Sequence, residues 1–372
     1  MKVIVIFGTR PEAIKMCPLV LQLKQTAQID CVVCLTGQHR EMLHQVMDAF
    51  SVCADYNLDI MRENQTLSSI TVDILNKLGK VLETEKPDLI LVHGDTTTSF
   101  AAALAGFYQG ISVGHVEAGL RTYDMSSPYP EEFNRQAVDL VTKLYFAPTE
   151  QSKYNLLKEG KKEACIYVTG NTVIDALSQT VRDDYQNEYL DWSEDSRLVL
   201  LTAHRRENLG EPMRQMFRAI RRVMEEYPDV KVIYPVHKNP KVREVAQEIL
   251  EGTDRIRLIE PLDVVDFHNF MSRSYLILTD SGGVQEEAPS LGIPVLVMRD
   301  TTERPEGIAA GTLRLVGTKE ETIYQEMKRL LEDETLYQKM SKAVNPYGDG
   351  HACERIIQAI LKSMERKEDI ET

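Results

Sequence analysis

No stretch of this 372-residue sequence approaches the roughly 20 consecutive apolar residues that a membrane-spanning helix needs. The opening MKVIVIFGTRPE holds five apolar residues in a row, Val3 to Phe7, short of the roughly 7–15 in the core of a secretion signal. A cytoplasmic location without membrane attachment is therefore expected. Positive charge is also scarce. Lys and Arg number 43 against 57 Asp and Glu, for a formal net charge of −14. That excludes a general nucleic-acid binder, whose footprint would be basic. An anionic small molecule stays open, provided local Arg and Lys hold it. None of the eight histidines pairs with another His or Cys at zinc spacing, so no structural metal is expected. The six cysteines (17, 31, 34, 53, 165, 353) are scattered. Cys31 and Cys34 form a C-x-x-C, but within the apolar run CVVCLT. Residues i and i+3 of a strand face opposite sides, so buried core cysteines are expected there rather than a redox pair. Neither G-x-G-x-x-G nor a P-loop occurs, which removes the usual dinucleotide and nucleoside-triphosphate signatures. No cofactor is expected.

What is present is a regular alternation. Strand-like runs at 2–7, 31–36, 89–92, 111–116, 144–147 and 165–169 are separated by helical spacing, as at 11–24, 67–83 and 98–108. The pattern restarts with strands at 197–202, 230–236, 256–259, 275–279, 293–298 and 312–316, and helices at 212–226, 241–251 and 322–331. Short apolar runs bounded by Gly and polar residues are buried parallel strands covered by helices. Twelve strands in two runs point to two Rossmann-like α/β domains rather than a barrel of eight units. The polar stretch 181–197 (VRDDYQNEYLDWSEDSR) interrupts the chain midway. The expected organisation is 1–170, then 171–350, then a C-terminal amphipathic helix over 351–372. No low-complexity tract or short repeat occurs.

In open α/β sheets ligands sit outside the carboxyl ends of strands. Asp95 follows the run Leu89-Ile90-Leu91-Val92, and Glu117 follows Val113-Gly114-His115-Val116, with Glu131 and Arg135 soon after. Carboxylates delivered into such a crevice suit acid–base work, because desolvation or a like charge raises their pKa. The alternative is salt-bridged structural carboxylates, paired with Arg121 and Arg135. The turn Phe7-Gly8-Thr9-Arg10-Pro11-Glu12 joins a strand to a helix whose free N–H groups would attract an anion, with Arg10 and Lys15 adding charge. The segment Thr279-Asp280-Ser281-Gly282-Gly283 repeats that design, and Glu287, one turn on, is placed to accept from ribose hydroxyls. A plain helix cap is the alternative. His204 and His237 each follow a strand of the second run beside cations, and Arg304 lies in RDTTERPEG after another.

Together, GTRPEAIKM, VHGDTTTSFAAALAGF, GHVEAGLRT, PEEFNRQ, TAHRREN, YPVHKNP, TDSGGVQEEAPSLGIPVLVMRDTTERPEG and NPYGDG resemble the non-hydrolysing UDP-N-acetylglucosamine 2-epimerases of bacteria. The blocks run in order over nearly the whole chain. The resemblance implies the GT-B fold, with two parallel sheets facing a central cleft and a C-terminal helix crossing back to the first domain. It implies a homodimer that interconverts UDP-GlcNAc and UDP-ManNAc for surface polysaccharide or teichoic-acid synthesis. Catalysis would fall to Asp95, Glu117 and Glu131, with His204. Sugar, diphosphate and ribose would be held by Arg10, Lys15, Arg135, His237, Ser281, Gly282, Gly283, Glu287 and Arg304.

Some relatives carry a second UDP-GlcNAc site through which substrate activates the enzyme. Its positions here are Gln38, Glu41, Asn64, Arg205 and His237, together with Glu131. Glu41 stands where the family usually has Gln, and Asn64 where it usually has Arg. One cation fewer and one anion more beside a diphosphate imply weak activation. Three other functions share much of this pattern. A glycosyltransferase would need an acceptor groove, a hydrolysing epimerase would release UDP and free ManNAc, and a nucleotide-sugar sensor would need no carboxylates. The C2 proton of the sugar has no adjacent ketone, and a nicotinamide fingerprint is lacking. Elimination of UDP to 2-acetamidoglucal, followed by re-addition, is the expected route.

Overall fold

The computed structural model describes residues 1–37, 40–62 and 65–371, and the side chains of 40–42, 364 and 366–371 fall outside the description. The chain forms two compact units, Met1–Gln179 with Tyr347–Thr372, and Thr180–Pro346. The first holds β1 (Lys2–Phe7), β2 (Asp30–Leu35), β3 (Tyr56–Asn57), β4 (Leu89–His93), β5 (Ser112–Val116), β6 (Leu144–Ala147) and β7 (Ile166–Val168). Their order across the sheet is β3-β2-β1-β4-β5-β6-β7, and every pairing is parallel. Parallel strands covered on both faces must be apolar throughout, and all five residues of β4 are buried. The helix Thr97–Tyr108 can lie close on this sheet because Ala101, Ala102 and Ala103 are small and fully buried. A Cβ on its Gly106 would come within 2.4 Å of Ile90 Cδ1.

The second unit holds β8 (Arg197–Thr202), β9 (Val230–Pro235), β10 (Ile256–Ile259), β11 (Leu276–Thr279), β12 (Val295–Val297) and β13 (Leu313–Leu315). Their order is β10-β9-β8-β11-β12-β13, again parallel throughout. Met213, Met216, Phe217, Ile220 and Val223 of the helix Glu211–Glu226 are buried at helical spacing and build the core on one face of this sheet. Each sheet winds outward in both directions from a central strand. The switch falls between β1 and β4 in the first unit and between β8 and β11 in the second, the point outside whose carboxyl ends ligands sit in open α/β sheets.

The two-sheet, parallel α/β architecture agrees with the sequence reading, but three details differ. The strand β3 is two residues long, too short to show as a periodic run. The polar stretch 181–197 contains the helix Glu188–Ser193, capped by Asn187, and so is folded. The first unit also extends past residue 170 and resumes at Tyr347 rather than at 351. Asp175, on the helix Thr172–Thr180, accepts from the backbone N–H groups of Ala352 and Cys353 at 3.2 and 2.8 Å. Asn171 N–H donates to the Tyr347 carbonyl at 2.7 Å. These bonds tie the start of the returning segment to the rest of the first unit, and the helix Ala352–Glu371 packs on Arg10–Gln25.

Candidate active site

In the first unit the candidate residues gather at the carboxyl edge of the sheet. Strands β4 and β5 are neighbours, with His93 beside Val116 in register, so Asp95 and Glu117 emerge side by side. Glu117 adopts φ 68°, a left-handed conformation unusual for a residue with a side chain. Its carboxylate forms an ion pair with Lys15, accepts from Asn171 Nδ2 at 3.0 Å and lies 3.6 Å from His93 Nε2. Burial alone would raise its pKa, but Lys15 and His93 outweigh burial and hold it well below the usual carboxylate range. The expected upward shift is thus reversed, and Glu117 is ionised. Asp95 pairs with Arg135, whose Nη1 also donates to Glu132 at 3.2 Å. Asn134 Nδ2 donates to the Asp95 carbonyl at 2.9 Å. Glu131 is the first residue of the helix Glu131–Val141. Arg121 is not a partner of these carboxylates and binds Asp139 and Glu159 instead, at 2.6 and 2.7 Å.

Several N–H groups at the turn into the helix Arg10–Gln25 are used internally. Gly8 and Thr9 N–H donate to the Glu12 carboxylate at 3.0 and 2.7 Å, and Glu12 N–H donates to Thr9 Oγ1 at 3.4 Å. Thr96 and Ser99 hydroxyls also donate to Glu12, at 2.6 and 3.1 Å. This capping box braces the turn after β1 against the loop after β4. Arg10 and Lys15 remain as positive charges there.

In the second unit Asp280, fully buried after β11, organises the edge. It accepts from the backbone N–H groups of His204 and Arg205, each at 2.9 Å, and from Asn208 Nδ2 at 3.1 Å. His204 stacks on His237 with ring centroids 5.4 Å apart and planes at 14°. Burial, together with His237 and Arg205, lowers the His204 pKa despite Asp280, so the ring is neutral near pH 7. Ser281 makes no side-chain cap at the helix Gly282–Glu287. A Cβ on Gly282 would approach Arg205 and Arg304 guanidinium nitrogens at 3.6 and 3.9 Å, so two cations flank that glycine. Arg304 itself pairs with Glu286.

The structure therefore gathers Lys15, Asp95, Glu117 and Arg135 on one sheet edge and His204, Arg205, His237, Ser281, Gly282, Gly283, Glu287 and Arg304 on the other. Gln38 and Asn64 lie outside the described residues, as does the Glu41 side chain. Sequence reasoning missed Glu12, His93, Asn171 and Asp280. Glu12 was detectable from the T-x-x-E spacing of a capping box, and Asp280 from its place between β11 and Ser281. His93 and Asn171 carry no local signal. The C-x-x-C cysteines lie on β2, where burial pushes both thiols up to about 12. Among the described residues no group of three or more His, Cys, Asp or Glu could hold a metal ion, and no helix is long and apolar enough to cross a membrane.

The family model described as UDP-N-acetylglucosamine 2-epimerase matches residues 21–361. The Bacillus subtilis (strain 168) UDP-N-acetylglucosamine 2-epimerase is 61% identical over 97% of this chain and 95% of its own. A UDP-GlcNAc 2-epimerase from Neisseria meningitidis, solved bound to UDP-GlcNAc, is 49% identical with TM-score 0.88, covering 97% of this chain and 100% of that one. The S. aureus MnaA–UDP co-structure is 55% identical with TM-score 0.89, covering 98% and 97%. The chain belongs to the non-hydrolysing, bacterial UDP-N-acetylglucosamine 2-epimerase family of isomerases.

Proposed function

We propose that the protein interconverts UDP-GlcNAc and UDP-ManNAc by elimination and re-addition. The observation that carries this reading is the pair Asp95 and Glu117 on adjacent strand ends, each already held by a cation, Arg135 and Lys15. One carboxylate takes the C2 proton while the C1–O bond to UDP breaks and C1=C2 forms, giving 2-acetamidoglucal. An acid on the other face returns a proton to C2 as UDP re-adds at C1. Asp95, Glu117 and Glu131 are the acid–base groups in this scheme. Within the first unit, Arg10, Lys15 and Arg135 are the groups suited to sugar and diphosphate. Within the second unit, taken by itself, His204, His237, Arg304 and the Ser281-Gly282-Gly283 turn are suited to a diphosphate, and Glu287 to a ribose. The relatives solved with UDP-GlcNAc and with UDP support this ligand class. The product would supply surface polysaccharide or teichoic-acid synthesis.

Proton NMR of UDP-GlcNAc with the enzyme in D₂O tests the scheme. Deuterium should appear at C2 together with UDP-ManNAc. Release of free ManNAc with UDP would instead indicate hydrolysis, and epimerisation with retention of the C2 proton would rule out exchange through solvent-accessible carboxylates. Asp95→Asn, Glu117→Gln and Glu131→Gln should each lower turnover by about 10²-fold or more, the scale of a lost acid–base group. Near-normal rates in all three would overturn the assignment.

A further inference from the structure

Glu287 faces His268 within the second unit. Its Oε1 lies beside Gly283, 3.2 Å from where a Cβ would stand, a space left open by the glycine. Its Oε2 lies 3.6 Å from Nε2 of His268, and the two side chains are 13% and 2% exposed. His268 comes from the helix Val264–Ser272. Its other ring nitrogen, Nδ1, is 2.6 Å from Thr180 Oγ1. Thr180 is anchored in turn, since its carbonyl accepts from Asn269 Nδ2 at 2.8 Å. Asn269 Oδ1 accepts from Arg182 N–H at 2.9 Å. An ionised carboxylate only accepts, whereas a hydroxyl can donate. Both contacts of a neutral ring are met when Thr180 donates to Nδ1 and the Nε2–H faces Glu287. A second partner of this kind fixes a histidine tautomer and orients the group the ring serves.

We infer that His268 is a positioning residue for ribose recognition, acting through Glu287. The inference rests on the assignment of Glu287 as ribose ligand. A glutamate free to rotate loses rotamer entropy when it binds. His268 confines the carboxylate beforehand, so less of that loss falls on ligand binding. At 3.6 Å the attraction is electrostatic rather than a full hydrogen bond, and burial strengthens it. His268 takes no part in the proton transfers at C2.

The readout is the ratio of affinities for UDP and its 2′,3′-dideoxy analogue, measured by titration calorimetry on the full chain. Glu287→Gln should collapse the ratio by about tenfold, the scale of a hydrogen bond to a charged group. His268→Leu should lower it comparably, with affinity for the dideoxy analogue unchanged. His268→Gln, whose amide N–H can replace Nε2–H, should keep most of it. Thr180→Val, which removes the hydroxyl and keeps the shape, should lower it in part and serves if His268→Leu fails to fold. A wild-type ratio in His268→Leu or in Thr180→Val, with the ratio lost in Glu287→Gln, overturns the inference. Equal weakening of both ligands by His268→Leu also overturns it, since that marks a merely structural role. A ratio preserved in Glu287→Gln overturns the ribose assignment itself.

Discussion

Burial and charge compete at single residues here, and the neighbours decide which wins. Glu117 and His204 are both desolvated, but Lys15 and His93 leave Glu117 charged while His237 and Arg205 help keep His204 neutral. The second case has a consequence for stability. A histidine whose folded pKa lies below its unfolded value of about 6.5 binds its proton more readily in the unfolded chain. Its contribution is complete above that value and is lost as pH falls through it. The urea midpoint of the wild type should therefore fall more steeply between pH 7.5 and 5.5 than that of His204→Gln. Parallel slopes in the two proteins would show that His204 titrates without shift.

At the scale of elements, the turn after β1 shows how close packing shapes the crevice. Gly8 lies where a Cβ would stand 1.8 Å from Thr36 Oγ1 and 2.9 Å from Thr98 Oγ1, and those two hydroxyls are hydrogen-bonded to each other at 2.9 Å. Backbone and side chains are all locked there, so the overlap has no easy relief. Gly8→Ala should destabilise the protein by about 2–3 kcal/mol, as overpacking does in a filled core. Chemical denaturation would measure it, and a change under 0.5 kcal/mol would mean the loop yields more than its packing implies. The sequence marked Gly8 as a tight-turn residue, but the threonines that crowd it lie 28 and 90 positions on. The capping box of Thr9 and Glu12 was legible by spacing, whereas its bonds to Thr96 and Ser99 were not.

At the scale of the whole molecule, the returning segment is part of the first unit's core. Cys353, Ile356 and Ile360 are fully buried on the helix Ala352–Glu371. Removing several such side chains costs more than about 4 kcal/mol, at 2–5 kcal/mol for each large aliphatic lost. A chain ending at Pro346 should lose hydrogen-exchange protection in β1 and β4 while β8 and β9 stay protected. On the proposed assignment of UDP to the second unit, added UDP should still protect that unit, since binding stabilises whatever it binds. Unchanged protection in β1 and β4 would show that the first unit is complete without its last 26 residues.

The sequence alone determined the fold class and where the strands end. Parallel strands buried on both faces must be apolar runs, and such runs end visibly at Gly and charge, which is why Asp95, Glu117, His204 and Ser281 could be placed at strand ends by position. Long motif blocks then named the family, which the 61% identical relative establishes. Tertiary structure decided everything that depends on partners distant in the chain. The Lys15–Glu117 pair spans 102 positions, the buried Asp280 gathers backbone from 75 and 76 positions away, and Thr180 meets His268 across 88. It also reversed the expected pKa shift of Glu117 and set the start of the returning segment at Tyr347. Local periodicity reports only burial and hydrogen-bonding class along the chain. Which charge faces which is fixed by the order in which the strands assemble.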